Sequence, residues 1–330
     1  VRRTLPAVFH SGIFYGFTLL FIGTVLATID FDLPLVLSKV PGLANFVDPN
    51  GAGVELSPLR FLHGPFYLVY EAVLDAAGAA LLVGLAIAMW RRYVTKPHHV
   101  LAQWDFVIWS LLLIDVTGFL VEGLRLTFAP VPHGIWSWGG YALSQGFLAL
   151  GLGAESVGLA TSLHLWLWLG HAVISLGFIA LLPYSNAVHI FSTSANLVMR
   201  PISIGIAAGA ALQPIDLETA AFFGVGKLSE FSWKQRLGFD ACVRCGRCET
   251  VCPAFLAGTP LNPKNVILML GDALRAELDA PAMPAGEEPL VVGDGQLIAP
   301  DVLFSCTTCM ACVEVCPAEI EIVDDLIDMR

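Results

Sequence analysis

Eight cysteines carry the most specific chemistry in this chain, and all of them follow Asp240. Cys242, Cys245, Cys248 and Cys252, closed by Pro253, spell C-x2-C-x2-C-x3-C-P. Cys306, Cys309, Cys312 and Cys316, closed by Pro317, repeat it. Soft thiolates select iron–sulfur clusters or zinc. Three cysteines in one tight loop can grip three irons of a cubane while a more distant fourth completes it, whereas zinc needs only C-x2-C pairs. Two complete four-cysteine runs therefore point to two [4Fe-4S] clusters. Their tight grouping argues against a secreted disulfide framework, which spreads its cysteines.

Histidine supplies the second chemistry, at positions 10, 63, 98, 99, 133, 164, 171 and 189. His171 and His189 stand 18 residues apart. On one unbroken helix, 18 steps of about 100° close five turns, so both rings face the same way roughly 27 Å apart. That geometry suits two stacked haems b, each taking one axial imidazole from this helix and one from another. Depth then pairs His10 with His189 on the inner side and His63 with His171 on the outer. His164, seven residues before His171, is the rival for the outer haem. Interfacial histidines capping helix ends are the bland alternative, and His98 and His99, in a basic loop, read as solvated. Acids gather in the same outer half: Glu71 and Asp75 four apart, Asp115 and Glu122 seven apart, Arg125 one turn on. Ionisable groups inside a membrane are functional by default, so Glu71, Asp75, Glu122 and Arg125 form a candidate quinone and proton site. An intrahelical Glu122–Arg125 ion pair is the competing reading.

These residues need a frame, and composition supplies it. Of 330 residues 56% are hydrophobic and 14% charged, against roughly 25% charged in soluble domains. Four apolar runs, Leu5–Ile29, Phe61–Trp90, Trp104–Phe128 and Leu163–Phe191, each exceed the ~20 residues that cross a ~30 Å hydrocarbon layer. Arg2 and Arg3 precede the first run, which is too long for a signal peptide and reads as a retained span. Arg2, Arg3, Arg91, Arg92, Lys96 and Arg200 flank the ends expected inside, whereas the first loop holds Asp30, Asp32, Asp48 and Glu55 against Lys39 and Arg60. An even number of spans with both termini inside satisfies the positive-inside rule. Trp136–Gly153 reads as a partly inserted or outer-surface helix pair, with a fifth span as the alternative. Pro183 is expected to kink the fourth run.

From Asp240 onward there are 15 Asp and Glu against 5 Lys and Arg, and no basic patch exists to neutralise phosphates, which excludes nucleic-acid binding. Asn262 and Pro263 should open a helix through Leu278, followed by a Pro/Gly-rich loop to Pro300. The expected architecture is all-α: a transmembrane di-haem domain over 1–200, a linker along the cytoplasmic membrane surface over 201–239, and a mainly helical two-[4Fe-4S] domain over 240–330. The protein is expected in the cytoplasmic (inner) membrane, its iron–sulfur domain on the cytoplasmic side.

The spans with His171 and His189 resemble the cytochrome b subunit of respiratory nitrate reductase, and the tail resembles the ferredoxin-type part of heterodisulfide reductase. Their fusion, with the stretches His10–Phe17, Pro183–His189 and Asp324–Arg330, is similar to membrane-bound iron–sulfur oxidoreductases related to heterodisulfide reductase. That group includes electron-transfer-flavoprotein:menaquinone oxidoreductases. In the bacterial two-cluster run the fourth cysteine ligates the other cluster. The resemblance thus implies Cys242, Cys245, Cys248 and Cys316 for cluster one, and Cys306, Cys309, Cys312 and Cys252 for cluster two. It further implies electron transfer between an electron-transferring flavoprotein and menaquinone or ubiquinone. The alternative is a quinol-oxidising input subunit of a heterodisulfide- or sulfur-compound-reductase-like complex. Two departures stand out. The nitrate reductase subunit carries both remaining haem ligands on its second helix, whereas this second run holds only His63, so His10 must substitute. Relatives also continue into Cys-Cys-Gly modules, and these 330 residues contain no Cys-Cys pair, so that module is expected in a partner subunit or a continuation.

Overall fold

The computed structural model describes residues 4–40, 43, 47, 60–95, 105–153, 156–199, 218, 224–279 and 288–330. His98, His99, Lys96, the arginines at 2, 3 and 200, and most of the expected linker lie outside them. No strand forms among the described residues. Two compact units divide the chain, Val1–Leu181 and Leu182–Arg330.

In the first unit, α1 (Thr4–Ala27) passes through a π-helical turn into α2 (Leu33–Leu37). α3 (Gly64–Met89) ends in a second π-helical turn, Trp90–Thr95, and α4 covers Asp105–Phe128. A short 3-10 turn leads into α5 (Trp138–Ala149), and α6 covers Val157–Leu181. The segments Ala7–Leu37, Gly64–Thr95, Asp105–Phe128 and Val157–Tyr184 are long and apolar enough to cross a membrane. At 12 residues, α5 rises only about 18 Å. It is too short for a fifth span, and it is a single helix rather than the expected pair.

Close approach explains how α1 and α3 pair. A Cβ on Gly16 would stand 2.7 Å from the Ala77 carbonyl oxygen, and one on Gly12 would stand 2.9 Å from that of Ala80. Small residues four apart let two helix backbones meet where lipid offers no hydrophobic drive. Phe178 of α6 packs edge-on to Phe17 of α1 and stacks on Phe106 of α4. Asp30 fixes the entry to α3: its Oδ1 accepts the Phe61 and Leu62 N–H groups at 2.5 and 2.7 Å, and its Oδ2 accepts Arg60 Nε at 3.2 Å.

The fourth apolar run departs from expectation. Leu163–Phe191 is not one helix. α6 stops at Leu181, 3-10 turns occupy Leu182–Tyr184 and Asn186–Val188, and α7 (His189–Val198) begins afterwards. Pro183 lacks an N–H and its ring obstructs the preceding turn. Ser185 then accepts the Ala187 N–H and caps a new turn. The 18-residue phase argument needs an unbroken helix, so it does not apply to His171 and His189.

The second unit also contains α8 (Trp233–Asp240), α9 (Arg247–Val251), α10 (Pro253–Leu256), α11 (Pro263–Asp279), α12 (Pro300–Phe304), α13 (Ala311–Glu314) and α14 (Ile322–Asp328). α11 starts where Asn262 and Pro263 place it, with Asn262 Oδ1 accepting the Asn265 N–H at 3.1 Å. Phe231, Phe239, Leu261, Ile267, Leu270, Leu303, Ile322 and Leu326 fill the core beneath the cysteine loops.

Candidate metal centres

The two cysteine runs fold into matching loops. In Cys242–Cys248 the left-handed residues are Arg244 (φ +56°) and Gly246 (φ +74°), and in Cys306–Cys312 they are Thr308 (φ +53°) and Met310 (φ +62°), at the same offsets. Left-handed backbone is costly for a residue with a Cβ and persists where surroundings impose it, often at functional sites. Cys242, Cys245, Cys248 and Cys316 line one cavity together with Pro317, Ala318 and Ile320. Cys306, Cys309 and Cys252 lie near enough to Cys312 to affect its thiol. Cys316 thus shares a cavity with the loop of Cys242, Cys245 and Cys248, and Cys252 lies near the loop of Cys312.

The donor set fits iron–sulfur cubanes. Backbone N–H groups point at sulfur: Phe255 to Cys252 Sγ at 3.5 Å, Thr308 to Cys306 Sγ at 3.4 Å, and Ile320 to Cys316 Sγ at 3.4 Å. Hydrogen bonds to sulfur tune cluster potentials. Burial pushes the Cys242 thiol up to about 11, and those of Cys248 and Cys312 up to about 12. Thiolate is therefore an expensive state here unless a cationic metal core offsets it.

The histidines occupy different settings. His171, on α6, faces α4: its Nδ1 lies 2.9 Å from Thr117 Oγ1, and its Cε1 lies 3.5 Å from where a Gly118 Cβ would stand. Thr117 has a single hydroxyl proton, and its oxygen lies 2.6 Å from the Leu113 carbonyl and 3.0 Å from that of Ile114. With the proton on one of those carbonyls, the oxygen is free to accept from His171 Nδ1–H. The lone pair of the ring then falls on Nε2, the form that binds a metal. His189 Nδ1 lies 2.7 Å from the Asn186 carbonyl oxygen, an acceptor only, which assigns the same tautomer. His10 is on the exposed side of α1, next to Phe9, whose ring lies under Arg91 of the π turn after α3. His63 is the exposed N-cap residue of α3. His164 packs edge-on to Phe128. Phe128 is the last residue of α4, and Thr117 lies 11 positions earlier, roughly 16 Å back along the helix. His164 is therefore the imidazole nearer the His63 end, and the equal depth expected for His63 and His171 is not met. The antiparallel register of α3, α4 and α6 sets this.

The carboxylates divide. Arg125 binds Glu122 in a two-pronged pair at 2.7 and 2.9 Å and reaches Glu71 Oε1 at 3.6 Å. Glu71 Oε2 and Asp115 Oδ2 are buried with no hydrogen-bond partner among the described residues. Asp75 stands apart from Arg125, its Oδ2 accepting the Gly139 N–H at 2.6 Å in the first turn of α5. Gly139 also lines an apolar groove with Ala79, Leu82, Phe119, Trp138 and Leu143, between α3, α4 and α5. The sequence reading missed the groove, Thr117 and Asp30. A hydroxyl two residues beyond Asp115 was the only advance signal for Thr117, and neither the groove nor Asp30 had a comparable one.

A family model described as a 4Fe-4S dicluster domain matches residues 238–320. Along its whole length the chain is 28% identical to the "EtfAB:quinone oxidoreductase" of Syntrophomonas wolfei, covering 46% of that protein. Over 36% of its length, an alignment of 134 positions, the chain is 51% identical to the "Probable membrane-anchored ferredoxin" of Chromohalobacter salexigens, covering 20% of that protein. A further match, 34% identical over 93 residues (27% of the chain), covers 22% of a dihydromethanophenazine:CoB–CoM heterodisulfide reductase polypeptide of Methanosarcina barkeri. The chain therefore spans less than half the length of each of these relatives. No solved structure matches it. By its four apolar spans and its cysteine unit, the chain is a membrane protein with a C-terminal 4Fe-4S ferredoxin-type domain.

Proposed function

We propose that this chain carries electrons between a soluble redox protein and a membrane quinone, using two [4Fe-4S] clusters and two haems b. The observation that carries the reading is the pair of four-cysteine runs on a chain with four apolar spans, Cys316 of the second run lining one cavity with Cys242, Cys245 and Cys248 of the first. Similarity along the whole chain to a protein named EtfAB:quinone oxidoreductase supports an electron-transferring flavoprotein as the soluble partner and quinone reduction as the outcome. The cytoplasmic membrane, with the cysteine unit on the cytoplasmic side, is the location this reading requires.

Haem b would supply one-electron steps within the membrane. His171 and His189 fit that role because each has Nδ1 within hydrogen-bond distance of an oxygen, an arrangement that favours Nε2 as the nitrogen that would bind a metal. His10 and His63 are the proposed ligands from other helices, with His164 the rival nearest His63. On the quinone side, the groove wall at Gly139 reaches the Asp75 carboxylate, and Glu71 lies one turn away in the Arg125 network. Quinone takes two electrons and two protons to become quinol. Asp75 and Glu71 are placed to exchange those protons, while Arg125 holds Glu122 and balances the local charge.

A second reading, a quinol-oxidising input subunit of a heterodisulfide- or sulfur-compound-reductase-like complex, is favoured by the similarity to the heterodisulfide reductase polypeptide of Methanosarcina barkeri. The test begins with the purified full chain. About eight irons and two haems b are expected; zinc at the cysteines, or no haem in a pyridine haemochrome assay, overturns the reading. Reduced electron-transferring flavoprotein should then reduce the haem bands, and reduction by quinol alone supports the second reading instead. Asp75→Asn should slow quinone turnover with haem spectra unchanged. A lost haem would make Asp75 a structural support.

A further inference from the structure

The chemistry of two clusters leaves open which of them serves the membrane, and α7 bears on this. His189, Ser192, Thr193 and Asn196 fall at i, i+3, i+4 and i+7, which places them on one face of the helix. The last three of these side chains bond to backbone beside the cysteines of a single cage. Ser192 Oγ donates to the Asp240 carbonyl at 3.1 Å and Thr193 Oγ1 to that of Ala241 at 3.0 Å, immediately before Cys242. Asn196, fully buried, donates through Nδ2 to the Ala318 carbonyl at 2.8 Å, two residues after Cys316. Lys234 Nζ holds the other end of the Asn196 amide at 2.5 Å. The turn that Asn196 grips is the one that delivers the Ile320 N–H to Cys316 Sγ. The opposite face of α7 presents Phe191 and Val198, both exposed. The other cage has no such tie to α7 among the described residues. Its loop exposes Thr307, Thr308 and Cys309, and Leu256 and Phe304 beside it are 67% and 69% exposed.

We propose that the site built by Cys242, Cys245, Cys248 and Cys316 is the one coupled to the haem at His189, with α7 as the coupling element, and that the site of Cys306, Cys309, Cys312 and Cys252 meets the soluble partner. This rests on the reading of haem at His189. The step moves one electron: the cluster goes from its 1+ to its 2+ state as the haem iron goes from ferric to ferrous, with no bond made or broken and no proton required. Reverse flow exchanges the two roles.

Electron paramagnetic resonance of the purified full chain tests it, after iron and haem contents have been measured. Cys245→Ser and Cys309→Ser assign the two cluster signals. Asn196→Ala labels the first site without removing a ligand, since loosening the Pro317–Ile320 turn should shift the midpoint potential of that signal alone. In samples frozen fully oxidised and then reduced by radiolysis at liquid-nitrogen temperature, which traps 1+ clusters beside ferric haem, the haem should speed spin relaxation of the signal altered by Cys245→Ser and Asn196→Ala. Faster relaxation of the Cys309 signal, equal relaxation of both, or an Asn196→Ala shift confined to the Cys309 signal would overturn the proposal. A preparation with both clusters and no haem would fail the proposed function instead, and the haem assay identifies that case.

Discussion

The two units bury opposite things. The membrane unit turns large apolar side chains outward, with Trp166 73% and Val83 61% exposed, and keeps Asp30, Glu71, Asp75 and Asp115 inside. The cysteine unit encloses phenylalanine, leucine and isoleucine around its loops and leaves most of its charges at the surface. Lipid tails are as apolar as leucine, so the first unit gains little by hiding apolar surface. Its cohesion must come from close backbone contact and satisfied polar groups. Water surrounds the second, where burying apolar area is the main drive. The difference teaches where each unit is fragile: the first at its glycines and buried acids, the second at its core and metal loops.

The largest effect should come from the metal loops. Cys316→Ala would remove a proposed ligand of one cluster and sits in the run proposed to supply three ligands to the other. Iron content should fall by at least half, read by metal analysis and the visible cluster absorbance. Full iron retention would separate the two runs and undo the shared-ligand geometry.

In the membrane unit, Gly16→Leu should drive α1 from α3, because even a Cβ there meets the Ala77 carbonyl at 2.7 Å. Overpacking of this kind costs typically about 1–3 kcal/mol, to be measured as a lowered melting temperature in detergent. A melting point equal to the parent's would show that the crossing is not what holds these helices. Asp30→Ala leaves the Phe61 and Leu62 N–H groups without their acceptor, at a cost of about 1–3 kcal/mol. The same melt reads this, and Asp30→Asn should recover part of the loss.

Acidic burial in the second unit gives a pH signature. Burial, with Glu321 and Asp328 nearby, pushes Asp324 up to about 6, and Asp325 is raised well above the usual carboxylate range. Because the folded form holds these protons more tightly than the unfolded chain, their favourable contribution is complete at acid pH. It is lost as pH rises toward the folded value. Stability of the unit should therefore fall from about pH 4, where the unfolded carboxyls titrate, to about pH 6, where folded Asp324 does, and Asp324→Asn should flatten that slope. An unchanged slope would assign the pH dependence to other groups.

The smallest effect distinguishes the two loops themselves. Gly246 and Met310 hold the same left-handed position. Gly246→Ala should cost about 1 kcal/mol, while Met310→Gly should be neutral or stabilising, by less than about 1 kcal/mol. Equal signs in the two variants would mean that side-chain packing, not backbone strain, governs these positions.

Local properties of the chain were legible in the sequence. The cysteine spacing anticipated the two loops, because a short run of residues brings its own thiols together. Hydropathy anticipated the four spans, since helix length against membrane thickness depends only on consecutive apolar residues. Asn262 and Pro263 marked the start of α11 for the same local reason. Long-range register was not legible. Whether Leu163–Phe191 stayed one helix depended on Pro183 and on the Ser185 cap that restarted the chain, and α7 then joined the cysteine unit instead of extending a span. The depths of His63, His164 and His171 follow from how α3, α4 and α6 slide past one another, which glycine contacts and the Thr117 hydroxyl help set. Asp30 became a pin only when residues some thirty positions onward folded back to it. Residue spacing determined which chemistry the chain can hold, and tertiary packing decided which groups meet, because close contact between distant segments depends on the whole fold.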